Sequence, residues 1–258
     1  SNVEEDNYGV GSHGYVDKTA IDRTKQIIDG WATAYDINPG SLTGVWAPRN
    51  TREDIWDAMK NKETFATSGP RLKIRLFAGY GYKETYANYD NMVSDGYKKG
   101  VPMGGDLIIE KTDEAPKFLL WALKDPINAN LDRIQIIKGW YENGEIKEKI
   151  FNVAASDNRF NDNGSVNPTS AEVNLQNGKY DSNKGVIEFM VTWEDPEFNP
   201  NNKAFYYARV IMIPTARWNL WDEIREDVKF PEKVPKSIQE RAWSSPIWFN
   251  PKLTNKKE

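Results

Sequence analysis

The hydrophobic period of this chain changes at Arg71, and that change limits the folds open to it. Upstream, Ile21, Ile28 and Trp31 fall at i, i+7 and i+10, one stripe of a 3.6-residue repeat. That spacing predicts a helix from about Lys18 to Trp31, broken by Asn38-Pro39-Gly40-Ser41. A second helix is predicted from Thr51, where Thr51 and Asp54 form a capping pattern with acidic groups at the positive end of the dipole. Ile55 and Met59 supply its expected buried stripe, and it ends by Lys62.

Beyond Arg71 the period is two. Leu72, Ile74 and Leu76 alternate with Lys73, Arg75 and Phe77, as a half-buried strand requires. Comparable runs extend over Asp106 to Lys111, Phe118 to Leu123, Arg133 to Lys138, Lys149 to Val153, Val186 to Trp193 and Lys203 to Ile213. The connections are rich in Gly, Asn, Asp and Pro, and none reads as an amphipathic helix long enough for a parallel crossover. A mainly β fold follows, an antiparallel β-sandwich. The polar stretch Ser156 to Asn167 reads as a surface loop or hairpin.

After Pro214 the alternation stops. Trp218, Trp221, Pro231, Pro235, Trp243, Pro246, Trp248 and Pro251 punctuate a tail with no period from which to build its own core. It is expected to strap across the sandwich and bury its indole rings there. The organisation predicted is an N-terminal helical segment, 1–70, followed by a β-sandwich with its C-terminal strap, 71–258. At 258 residues, such a chain can bury ~75% of its unfolded surface.

Charge narrows the partners. With 34 basic and 38 acidic side chains and neither sign gathered into a block, the chain lacks the cationic patch that displaces counterions from nucleic acid. No stretch approaches the ~20 apolar residues of a membrane span. Ser1 to Gly11 is polar and acidic, unlike the basic start and apolar middle of a signal peptide, so the chain as given is expected to be soluble. The absence of cysteine excludes disulfides, thiolate metal sites and a cysteine nucleophile.

The stretch from Gly44 to Arg71, ending in Thr67-Ser-Gly-Pro-Arg71, resembles the end of a PHP (polymerase and histidinol phosphatase) module, where a last helix leads through such a turn into a β domain. Further stretches resemble an uncharacterised bacterial family, domain of unknown function 3604. They are Lys124-Asp-Pro126, Leu131 to Trp140, Trp193-Glu-Asp-Pro-Glu-Phe198, Ala204 to Val210 and Gln239 to Trp248. The likeness runs from Glu4 to about Pro251.

The resemblance implies a C-terminal, accessory portion of a metal-dependent hydrolase of the phosphoesterase kind. Its His, Asp and Glu ligands and divalent ions would lie on an upstream catalytic part of the same protein. It also implies a periplasmic or secreted setting. No family ligand transfers onto a numbered position here, so no catalytic residue, metal ligand or cofactor is expected in this chain. A face cut from its other half would be apolar and would favour self-association.

The remaining chemistry reads mostly as structure. Thr67, Ser68, Gly69 and Arg71 can cradle an anion through freed backbone N–H groups and a guanidinium, though the same residues serve as a tight helix-to-strand turn. His13, the single histidine, sits in a Gly-rich loop sequence. Arg49 and Arg52 flank a helix start and are expected to be solvated. Asp157, Asn161, Asp162 and Asn163 before Gly164 miss the spacing of a calcium loop. Glu194, Asp195 and Glu197 are too close in sequence to face one another across a sugar. The ten tryptophans are read as core, with one or two left to line a carbohydrate-binding or other recognition groove.

Overall fold

The structure is a computed structural model that describes residues 19–28, 32–33, 35, 40–109 and 114–251. It opens with α1 (Ala20–Arg23), the short pair β1 (Gln26–Ile28) and β2 (Ala32–Thr33), then β3 (Leu42–Val45), α2 (Arg52–Lys60) and β4 (Thr64–Thr67). Next come β5 (Lys73–Gly79), α3 (Tyr89–Lys99), β6 (Gly100–Pro102), β7 (Asp106–Ile109), β8 (Lys117–Leu123), β9 (Leu131–Glu142) and β10 (Glu145–Ala155). The chain closes with β11 (Glu188–Glu194), β12 (Ala204–Met212), β13 (Thr215–Ala216), α4 (Trp218–Glu226), β14 (Ser237–Ile238), β15 (Arg241–Ser244) and β16 (Ile247–Pro251).

The fold is mainly β and antiparallel, as the alternation predicts. An eight-stranded sheet runs β10-β9-β12-β15-β4-β3, with β16 pairing β12 and β7, and a four-stranded sheet runs β11-β8-β5-β6. One pair, β16 with β7, is parallel. Residue parity shows how the sheets pack. Ile74, Leu76, Phe118, Leu120 and Phe189 of the small sheet share one core with Ile134, Ile136, Tyr206, Ala208 and Val210 of the large one, giving a sandwich-like arrangement. β9 and β10 meet through Asn143-Gly144, both at positive φ, the backbone a two-residue hairpin demands.

The strand over Arg71 to Phe77 is buried on both faces, not one. Phe77 of β5 and Leu119 and Trp121 of β8 pack with Met92 of α3 in a second core. The sequence reading placed no helix there. α3 starts at Asn88, whose side-chain oxygen accepts from the Asn91 N–H at 2.9 Å, and buries Met92 and Gly96. An added Cβ at Gly96 would lie 2.6 Å from the Phe77 ring, so the glycine sets how closely helix and sheet approach.

Three other expectations need correction. The helix expected to reach Trp31 is only the four residues of α1, closed where the Thr24 hydroxyl donates to the Ile21 carbonyl. Trp31 lies outside the described residues. α2 begins at the Thr51 cap as expected, but its buried residue is Ala58. Met59 is 52% exposed and the neighbouring Trp56 64%. The segment before Arg71 also supplies β3 and β4, which extend the large sheet because β4 pairs with β15.

The tail does more than strap. β15 lies between β12 and β4 inside the large sheet, and β16 bridges β12 to β7. Trp218, Phe230 and Val234 form a small core of their own with Tyr35, rings edge-on at 5.4 and 6.4 Å. Among the described tryptophans, only Trp121 and Trp218 are fully buried; the rest are partly or largely exposed.

Candidate functional site

Between α2 and the outer face of the small sheet lies a cleft of about 460 Å³ lined by Trp46, Asp54, Asp57, Glu63, Arg75 and Tyr97, among others. Arg75 occupies an odd position of β5 and therefore points away from the sandwich core. It is 8% exposed. Its guanidinium lies 4.0 Å from the Trp46 ring centroid and donates to Glu63 Oε1 at 3.2 Å and to the Tyr97 hydroxyl at 2.8 Å. The Tyr97 hydroxyl donates in turn to Glu63. The Arg75 Nε is buried with no hydrogen-bond partner.

The local sequence explains this placement. Thr51 caps α2, Lys62 takes a positive φ just after it, and Glu63 follows with its carbonyl accepting from the Trp46 N–H at 3.0 Å. The Trp46 indole N–H donates to the Ile74 carbonyl at 2.9 Å, fixing the ring beneath Arg75. Burial raises the Glu63 carboxyl above its ordinary value against the pull of Tyr97 and Arg75. Burial, with Glu63 alongside, pushes the Tyr97 phenol up to about 12. Three carboxylates, Asp54, Asp57 and Glu63, surround one guanidinium that is already paired, so the cleft does not favour an anion, and the exposed side of α2 beside it can seat a protein surface.

The Thr67-Ser-Gly-Pro-Arg71 turn is brought together, with the N–H groups of Ser68, Gly69 and Arg71 and the Ser68 hydroxyl engaged internally. The Ser68 N–H donates to the Arg241 carbonyl and its hydroxyl to Glu240. The Gly69 N–H donates to the Thr67 hydroxyl at 3.2 Å, and the Arg71 N–H to Asp125 Oδ2 at 2.7 Å. Gly69 sits at φ 145. Asp125 also accepts from the Ile127 N–H and the Asn128 amide. Burial alone would raise its carboxyl, but these donors outweigh that and hold it below the ordinary carboxylate range.

Elsewhere the candidates separate. His13 lies outside the described residues. Arg49 pairs with Asp54 at 2.7 Å, and Arg52 is exposed. The Asp157 loop is a polar hairpin, bridged between Phe160 and Val166 and laced by Asn161 to Asn167 and Ser165. Among the described residues, no cluster of three or more His, Cys, Asp or Glu could hold a metal ion. Asp195 is buried against Lys138 and Tyr206, while Glu197 pairs with Lys149 and Glu194 is exposed at the end of β11. Sequence reasoning singled out neither Arg75 nor Lys138. For Lys138 the signal was a cation in register with Ile134 and Ile136, whereas Arg75 follows the ordinary alternation of β5 and gave none.

No helix among the described residues is long and apolar enough to cross a membrane. Residues 1–251 match a family model described as a protein of unknown function, DUF3604. No curated protein and no solved structure matches the chain.

Proposed function

This chain belongs to the DUF3604 family, and from that premise we propose that it is the accessory C-terminal region of a metal-dependent hydrolase of the phosphoesterase kind. On this reading the divalent metal and its ligands belong to an upstream, PHP-like catalytic part of the same protein. The present chain covers or shapes that part's active site and does not hydrolyse substrate alone. A periplasmic or secreted location goes with the same resemblance.

The observation that carries the reading is the outer side of α2. Trp56 and Met59 stand exposed one turn apart, within the stretch that resembles the end of a PHP module, beside the Trp46–Arg75 cleft. Covering what remains exposed of such side chains is worth about 1–2 kcal/mol each, which gives a docked catalytic part reason to sit there. Uncovered, the same face favours self-association.

Metal analysis and turnover of phosphate mono- and diesters with added manganese, run on this chain and on the full-length protein, test the proposal. Metal and turnover in the full-length protein alone support it. Stoichiometric metal with turnover in this chain refutes it.

A second reading, a carbohydrate-binding or other recognition sandwich, is favoured by one observation on the opposite side. Phe205 and Tyr207 project from the outer face of β12 with near-parallel rings, and Trp248, 45% exposed, sits across from Phe205. Loss of glycan binding on Trp248→Ala would support that reading, and a blank glycan array would remove it.

A further inference from the structure

Lys138 continues the inward row of Ile134 and Ile136 on β9, so a cation occupies a position where the sandwich core calls for an apolar side chain. Its Nζ donates to Asp195 Oδ2 at 2.5 Å and to the Glu197 carbonyl at 2.8 Å. Asp195 is filled by other donors as well: the Tyr206 hydroxyl at 2.8 Å and the Glu197 N–H at 2.9 Å. Replacing a buried ion pair with well-packed apolar residues is commonly neutral or stabilising, so stability alone gives little reason for this one. An ammonium carries three N–H donors. Two are accounted for by Asp195 and Glu197, and Lys138 also lines an open pocket of about 200 Å³.

We infer that this pocket, lined by Lys138, Trp140, Glu142, Glu197, Asn202 and Tyr206, is a binding subsite for a neutral polyhydroxylated ligand the size of one sugar ring or cyclic polyol. The charges select for neutrality. Three carboxylates, Asp195, Glu142 and Glu197, are matched by three ammonium groups, Lys138, Lys147 and Lys149. An anion entering the pocket meets Glu142 and Glu197 on the walls, and a cation meets Lys138 in the floor.

Hydroxyl groups suit both. They accept from Lys138 and the Asn202 amide and donate to the carboxylates. Lys147 at 2.8 Å and Asn202 at 2.9 Å fix the Glu142 carboxylate, so its remaining lone pairs are pre-oriented. The Trp140 indole, with Lys138 Nζ 5.1 Å from its centroid, also lines the pocket and supplies apolar area for the C–H groups of a ring. The volume is below that of pockets for drug-sized ligands, which sets the limit near one ring.

This site shares ligand chemistry with the recognition reading but stands on different residues, so either can fail without the other. The test is saturation-transfer NMR and titration with glucose, galactose, mannose, N-acetylglucosamine and myo-inositol. Inorganic phosphate and glucosamine serve as charged controls. Glu142→Gln and Asn202→Ala, both at the partly exposed mouth, spare the buried Lys138–Asp195 pair, and thermal melts confirm that each variant is folded. The expected result is binding of at least one neutral ring, weakened tenfold or more by each mouth variant, unchanged by Trp248→Ala, and tighter than either charged control. No binding, binding indifferent to both mouth variants, loss on Trp248→Ala, or equal binding of a charged control would overturn the inference.

Discussion

Lys138 and Asp195 form an ion pair between the two sheets, with 2.5 Å separating ammonium and carboxylate and the Asp195 side chain fully buried. The Tyr206 phenol is tied to the same carboxylate, and burial, with Asp195 beside it, pushes its proton affinity far above that of a free tyrosine. Asp195→Ala strands the ammonium and the phenol together. Urea denaturation is expected to show a loss of about 3–5 kcal/mol. Lys138→Met combined with Asp195→Leu removes both charges and is expected to recover most of that loss.

Asp125 holds the turn after β4 through the Arg71 and Ile127 N–H groups, and its carboxyl is lowered in the folded chain. A lowered folded value means that the ionised form stabilises the fold. Its contribution is complete above the unfolded value near 3.9 and is lost as pH falls through the lower folded value. Asp125→Ala should therefore cost about 2 kcal/mol at neutral pH and flatten the decline in stability below about pH 4. Melting curves from neutral to strongly acidic pH check the sign.

Arg75 is held by Glu63, Tyr97 and the Trp46 ring. Arg75→Ala leaves a half-buried carboxylate without its cation and is expected to cost about 3 kcal/mol. Arg75→Lys keeps the charge but loses the planar stacking surface and should recover only part of the loss. Equal stability of the two variants by chemical denaturation would count against the stacked geometry.

Gly104 sits at φ +88, and an added Cβ would lie 2.4 Å from the Lys62 carbonyl oxygen. Gly81 has φ +68 with open space around it. Gly104→Ala should cost more than the ~1–2 kcal/mol of left-handed backbone expected for Gly81→Ala. Comparing the two midpoints isolates the steric part.

The period-two runs made the sandwich legible, because alternation reports burial on one face whatever the partner strand. Alternation alone missed that β5 and β8 are covered on both sides, although Phe77, Leu119 and Trp121, apolar at positions that alternation assigns to solvent, carried that signal. Asn88 with Tyr89, Met92 and Val93 carried the spacing of α3, obscured by the polar, tyrosine-rich stretch before it. β15 and β16 are four and five residues long, too short for a period, and are placed by pairing with β12.

At the sites, Lys138 was visible as a charge in an inward row. Its partner lies 57 positions away, beyond any local pattern. The Thr67–Arg71 turn was legible as a motif, but the carboxylates that occupy its donors, Asp125 and Glu240, come from distant segments.

The proposed function turns on whether the exposed side of α2 is covered in the full-length protein. Hydroxyl-radical footprinting of Trp56 and Met59, read by mass spectrometry in this chain and in the full-length protein, measures that directly. The account predicts that both residues are readily oxidised in the isolated chain and strongly protected in the full-length protein. Equal oxidation in the two would contradict it.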